Sequence, residues 1–319
     1  MTHSVTLDDI RAAAARVSKV ARVTPLLDVS ATAGRTLLLK CENLQPMGAF
    51  KIRGAYNMLA QLTADERRRG VITFSSGNHG QAIALAAREL GAPAVVVMPS
   101  TAAKVKIEGV KGFGAEVIFA GTTSTERRVR AEAEATARGL TIVPPFDHSW
   151  IIAGQGTAGL EILEQRPDVA TVIVPVGGGG LAAGVAVAVK LSRPDVEVIG
   201  VEPSGAAKMK RSLEAGHPVT LDHTASVADG LLPVRPGDLT FALIQQYIDR
   251  VVTVEEQQII DAVLWLHSSA KIVAEPSGAA SVAAALAGAG GPGPTVAIIS
   301  GGNIDRELLE EFQRSALKP

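Results

Sequence analysis

The stretch Thr171-Val-Ile-Val-Pro-Val-Gly-Gly-Gly-Gly-Leu-Ala-Ala-Gly184 decides how the chain is read. Its first six residues are an apolar run of strand length, and an Ala/Val-rich helix opens after the four glycines. A strand this apolar belongs in a parallel sheet covered on both faces. Residues without Cβ expose successive backbone N–H groups, and the helix start adds positive partial charge, so a phosphate monoester is the natural guest. A plain strand-to-helix turn is the alternative. Gly178, Gly180 and Ala183 also loosely fit a dinucleotide fingerprint, with Glu202 at the distance of a ribose-binding acid, so a nicotinamide-dependent oxidoreductase stays open.

Outward from this stretch, apolar strand runs alternate with helix-length segments. Strands are predicted at residues 36–40, 71–74, 94–98, 116–119, 141–143, 171–176, 197–201 and 295–299. Helices are predicted at 6–20, from 51, and at 78–90, 101–113, 123–138, 150–165, 181–192, 254–270 and 276–287. Residues 205–250 are less regular. The pattern predicts an α/β fold with two open, mainly parallel sheets flanked by helices.

At 319 residues the chain has room for roughly two domains at about 150 residues each. Lys and Arg number 31 against 32 Asp and Glu, and only 11 residues are aromatic, which argues against a single-strand nucleic-acid groove. Cys41 is the one cysteine, excluding an intrachain disulfide and any multi-cysteine zinc site. No apolar run reaches the ~18 residues of a membrane span, and Asp8 and Asp9 stand where a signal peptide would be basic. A soluble, cytoplasmic protein without nucleic-acid or membrane partners is expected.

Two further polar loops follow strands and precede helices: Ser75-Ser-Gly-Asn-His-Gly-Gln81 and Ser300-Gly-Gly-Asn303. They fall where open α/β sheets bind ligands, and the first can receive a carboxylate through hydroxyls, an amide and backbone N–H groups. Helix capping by Ser76 or Asn78 is the plainer reading. Gly154-Gln-Gly156-Thr157 reads as another polar loop. His79 alone reads as an ordinary packed histidine, and composition does not choose Lys51 among the lysines. A hydride-transfer reading leaves these loops unused.

Taken together, the loops resemble the pyridoxal-phosphate enzymes of fold type II, and within them the threonine/serine dehydratase and serine racemase group. The resemblance rests on Thr24-Pro-Leu26, Lys40-Cys-Glu-Asn-Leu-Gln45, Gly48-Ala-Phe-Lys-Ile-Arg-Gly-Ala55 and Ser75-Ser-Gly-Asn-His-Gly-Gln-Ala82. It continues through Ala153-Gly-Gln-Gly-Thr157, Val176-Gly-Gly-Gly-Gly-Leu181, Ala228-Asp-Gly230, Ala274-Glu-Pro-Ser-Gly-Ala279 and Ser300-Gly-Gly-Asn303. The ordered set covers about residues 20–305, and it implies the tryptophan synthase beta-like arrangement.

The resemblance implies that Lys51 binds pyridoxal 5'-phosphate covalently, with Phe50 packed on the ring. It implies that Asn78 meets the ring 3-hydroxyl, that Gly177, Gly178, Gly179 and Gly180 cup the phosphate, and that Ser300 faces the pyridine nitrogen. A neutral hydroxyl there leaves the ring a weaker electron sink than an Asp partner would, which suits β-elimination. Ser75, Asn78 and His79 would hold the substrate carboxylate, and Lys51 would take the Cα proton. The implied reaction dehydrates L-threonine, L-serine or a related 3-hydroxy amino acid to a 2-oxo acid and ammonia. Ser76 occupies the racemases' acid/base position for the opposite face, so racemisation stays open, as does a non-catalytic small-molecule binder. Residues 1–46 with 147–319 are expected to form the large domain and 47–146 the small one, in a homodimer. The length also leads us to expect no C-terminal regulatory domain.

Three departures from the family pattern stand out. Ala49 replaces a usual Ser. Members that bind a divalent cation use acids at the positions of Glu202 and Lys208 and the carbonyl at that of Ala206, so Lys208 makes the cation unlikely here; an ion pair between Lys208 and Glu202 is expected instead. Trp150, in Asp147-His-Ser-Trp150, either shapes the pocket or packs, and packing is favoured.

Overall fold

The computed structural model describes residues 4–75, 77–102 and 104–316. Its strands, in chain order, are β1 (Leu26–Asp28), β2 (Leu37–Cys41), β3 (Val71–Phe74), β4 (Ala94–Met98) and β5 (Glu116–Phe119). They continue with β6 (Thr141–Ile142), β7 (Thr171–Pro175), β8 (Glu197–Pro203), β9 (Arg250–Val254) and β10 (Thr295–Ile299). β4, β7 and β10 are buried along their whole length, as their apolar runs require, and β2 is equally buried although it carries Lys40. Each fully buried Val, Ile or Leu contributes roughly 1.5–3 kcal/mol.

Two sheets result, ordered β1-β2-β10-β7-β8-β9 and β5-β4-β3-β6. All pairings are parallel except β1 with β2. β3 has β4 on one side and β6 on the other; β7 likewise separates β8 from β10. These are topological switch points, and ligands bind beyond the carboxyl ends of such strands. β3 leads into Ser75 and β7 into Val176 and the glycine loop, so the topology itself marks the two loops.

Two expectations need correction. Gly154 to Thr157 is not a loop; it lies inside the helix Ser149–Gln165. A Cβ on Gly154 would sit 2.6 Å from the Arg53 carbonyl oxygen, and one on Gly156 2.8 Å from that of Gly184. The glycines let three helix backbones touch, offsetting their poor helix propensity of about 1 kcal/mol each. Trp150 is not packed away either: it is 37% exposed, edge-on to His148. The region read as irregular holds the helices Lys208–Ala215 and Asp238–Tyr247, and β9 begins where it ends.

Candidate active site

Lys51 is placed by the backbone. Ala49 bridges Gly301, the Phe50 N–H donates to the Ser300 carbonyl at 3.0 Å, and the Gly302 N–H donates to the Gly48 carbonyl at 2.9 Å. Gly48 has φ +80°, and a Cβ there would meet Asn303 Oδ1 at 2.3 Å, so only glycine fits. Lys51 thus begins the helix Lys51–Ala60 beside the carboxyl end of β10. Its Nζ donates to the Pro145 carbonyl at 2.8 Å and lies 5.2 Å from the Phe50 ring centroid. The residue keeps partial solvent contact, yet desolvation of the ammonium lowers its pKa to about 8. A useful neutral fraction is therefore present near neutral pH.

The glycine loop has the form of an anion cradle. Gly179 has φ +102°, and a Cβ on Gly178 would fall 2.3 Å from the Phe146 ring. The Gly178 carbonyl is occupied by the Thr240 hydroxyl at 2.7 Å and the Gly237 N–H at 3.3 Å. Among the described residues, the N–H groups of Gly177, Gly178 and Gly179 have no protein acceptor. Gly180 opens the helix Gly180–Ser192 directly behind them. Orphan donors backed by a helix N-terminus suit a dianion.

Asn78 begins the helix Asn78–Glu89 after β3 and is held from the other sheet's side. Its Nδ2 donates to Glu275 Oε1 at 2.6 Å, and its Oδ1 accepts from Asn303 Nδ2 at 2.8 Å. Asn303 is itself oriented by the Met47 carbonyl at 3.0 Å. A flip of the Asn78 amide would set its Nδ2 against Asn303 Nδ2, which the Met47 carbonyl holds in place, so one Nδ2 hydrogen remains in a defined direction. The Ser75 hydroxyl accepts from the Gly77 N–H at 3.1 Å. His79 is buried, its pKa is driven down to about 3 by desolvation and then by Lys51, and its Nε2 lies 3.3 Å from the Val143 carbonyl. It is a neutral imidazole and brings no positive charge to a carboxylate. Ser76 lies outside the described residues. Ser300 is buried, and its hydroxyl donates to the Ser277 carbonyl at 3.4 Å.

Sequence reasoning gave several other residues no role. Glu275 is buried between Asn78 and the Gly301 backbone; burial and then Asp229 raise its pKa to about 8, so it is largely protonated at neutral pH. Lys106 runs its stem along Gly77 and pairs with Asp229, joining the loop after β3 to the other sheet's side. Arg53, fully buried two residues after Lys51, pairs with Glu42 and Glu161 at 2.7 Å each; Lys40 completes the network on Glu161 at 2.6 Å. Burial opposes the Arg53 charge, but the two carboxylates outweigh it and its pKa is raised. These partners lie 11 and 108 residues from Arg53, and no local pattern announces them.

The residues present fit pyridoxal phosphate: an orphan N–H cradle, an aromatic beside a neutralisable lysine, an oriented amide and a buried hydroxyl. They do not fit a divalent cation at Glu202. Lys208 Nζ lies 2.9 Å from Glu202 Oε1 and 3.2 Å from the Ala206 carbonyl, filling the place an ion would need. Among the described residues, no group of three or more His, Cys, Asp or Glu could hold a metal ion.

Comparison with known proteins agrees with the geometry. The chain is 45% identical over 317 residues to an L-threonine ammonia-lyase of Thermotoga maritima, covering 98% of this chain and 79% of that protein. It is 41% identical to the serine racemase of Schizosaccharomyces pombe, covering 96% and 97%. It spans about half (53%) of the length of the biosynthetic L-threonine dehydratases it matches, that of Escherichia coli among them. Maize serine racemase superposes with a TM-score of 0.93 at 37% identity, covering 99% of this chain and 98% of that one. Residues 17–301 match the family described as pyridoxal-phosphate dependent enzyme, and with the cradle, the lysine and the sheet topology in agreement, the chain belongs to that family.

Proposed function

We propose that the protein removes water from a 3-hydroxy amino acid, L-threonine or L-serine, releasing a 2-oxo acid and ammonia. The observation that carries this reading is the set of acceptor-free N–H groups at Gly177, Gly178 and Gly179, packed on Phe146, with a lysine whose pKa lies near 8 held at the adjacent Pro145 carbonyl. When bound, pyridoxal phosphate supplies an electron-withdrawing ring that acidifies the Cα–H bond of an amino acid. The glycine N–H groups and the helix start at Gly180 would hold its phosphate. Phe50 and the Ser300 hydroxyl would border its ring, and Asn78 would offer it the remaining side-chain N–H. Ser75 and the start of the helix Asn78–Glu89 receive the substrate carboxylate, with His79 as a neutral wall. Lys51, as a free amine, takes the Cα proton.

The reading takes residues 47–146, which contain the whole four-stranded sheet, as the small unit, and 1–46 with 147–319 as the large one. It also takes a cytoplasmic homodimer as the working form. Racemisation on the same scaffold is the second reading, favoured by the likeness to serine racemases. The experiment is product analysis with threonine, serine, 3-hydroxyaspartate and phenylserine. A 2-oxo acid with equimolar ammonia supports dehydration; the D-enantiomer as main product replaces it with racemisation.

A further inference from the structure

Lys208 occupies an unusual position. It is the first residue of the helix Lys208–Ala215 and fully buried, although a positive charge at a helix N-terminus is unfavourable. Four oxygens surround its Nζ: Glu202 Oε1 at 2.9 Å, the carbonyls of Val176 and Leu231 at 3.0 Å, and that of Ala206 at 3.2 Å. Glu202 offsets the helix problem by accepting from the Met209 and Lys210 N–H groups, both at 2.9 Å. One carboxylate and three carbonyls are the oxygen donors that a hard cation takes. The ammonium ends where that cation would sit.

The carbonyls come from segments that converge under the anion cradle. Val176 precedes Gly177, and Leu231 ends the turn Asp229–Leu231, whose Gly230 carbonyl lies 2.8 Å from where a Gly177 Cβ would be. The Val176–Gly177 peptide is planar and trans, so a carbonyl directed at Lys208 sends the Gly177 N–H to the opposite side of the chain. That N–H is one of the acceptor-free donors.

We propose that Lys208 is a built-in cation that positions the glycine loop for the cofactor phosphate, and that removing its ammonium converts the site into one dependent on an added small cation. The proposal rests on the reading of residues 177–180 as the phosphate cradle. It makes the native protein indifferent to chelators and to exchange of potassium for tetramethylammonium. In Lys208→Ala, the vacated cage of Glu202 and three carbonyls accepts potassium, ammonium or calcium.

The test measures melting temperature and pyridoxal-phosphate affinity of the native protein, Lys208→Ala and Glu202→Gln/Lys208→Ala, in tetramethylammonium, potassium, ammonium or calcium chloride at equal ionic strength. For Lys208→Ala in tetramethylammonium, affinity is expected to fall about tenfold or more, from a lost charged hydrogen-bond donor and an unpaired Glu202. Small cations are expected to restore most of it, and the double variant, lacking the carboxylate charge, to lose that rescue. Equal impairment of Lys208→Ala in every salt, or native affinity in tetramethylammonium, overturns the proposal. If the variants do not fold, the native protein still decides: loss of affinity or melting temperature on chelation, restored by calcium, refutes it. Should the native protein bind no pyridoxal phosphate, the cradle reading fails, while cation-dependent melting of Lys208→Ala still reports on the cage.

Discussion

Replacing Arg53 with Met should cost the fold more than any other single change near Lys51. The guanidinium donates to both oxygens of Glu42 (2.7 and 2.8 Å), to both of Glu161 (2.7 and 2.8 Å) and to the Thr157 hydroxyl at 3.0 Å. Glu42 is fully buried and Glu161 keeps only 13% side-chain exposure, so Arg53→Met leaves Glu161 with Lys40 and Glu42 with only the neutral Thr24 hydroxyl and Gln45 amide. Breaking one side of such a buried set costs about 3–5 kcal/mol, a large share of the roughly 5–15 kcal/mol that holds a domain folded. The pair Glu42→Gln/Arg53→Met removes one unpaired charge with its partner and should recover a substantial part of that loss. Urea unfolding of native, single and double variants closes the cycle. Lys51 lies one helical half-turn away, so the single variant should also lose the visible absorbance of bound cofactor ahead of global unfolding. A cost below about 1 kcal/mol for Arg53→Met, or additivity in the cycle, would refute the argument that these charges act as one buried unit.

Other outcomes follow from the same geometry. Glu275 has a folded pKa of about 8 against an ordinary 4.5, so the folded apo-protein binds more protons than the unfolded one between those values; stability should fall as pH rises through that window, by at most roughly 5 kcal/mol, and Glu275→Gln should flatten the profile. His79, held neutral with a pKa near 3, works in the opposite sense: stability should fall as pH drops below about 6.5, a loss absent from a foldable His79→Asn variant. Gly178→Ala drives a Cβ into the Phe146 ring and should abolish tight cofactor binding in a titration while far-UV circular dichroism is retained. Asn303→Ala frees the Asn78 amide to flip and should shift the absorbance spectrum of the bound cofactor more than its affinity.

The parallel sheets were legible because β4, β7 and β10 are unbroken apolar runs. β9 was missed because it is an edge strand, mostly half-exposed, lying within a polar region. The helix Asp238–Tyr247 was missed because its cap is remote: the Asp147 carboxylate accepts from the N–H groups of Asp238, Leu239 and Thr240 at 3.0–3.1 Å across more than 90 residues. The helix Lys208–Ala215 likewise takes its cap from Glu202 rather than from its own first turn. Gly154 and Gly156 misled because loop glycines and contact glycines look alike until the facing helix is known. At the site, Lys51, Asn78 and the glycine loop could be named from motifs, whereas Glu275, Asn303 and Arg53 act through partners brought near only by folding.

The central claim is that Lys51 carries the cofactor. Reducing the pyridoxal-phosphate-loaded protein with borohydride and mapping its peptides by mass spectrometry tests this most directly. The account requires the phosphopyridoxyl mass on Lys51 and no stoichiometric label elsewhere. A label on another lysine, or none at all on protein saturated with pyridoxal phosphate, would contradict it.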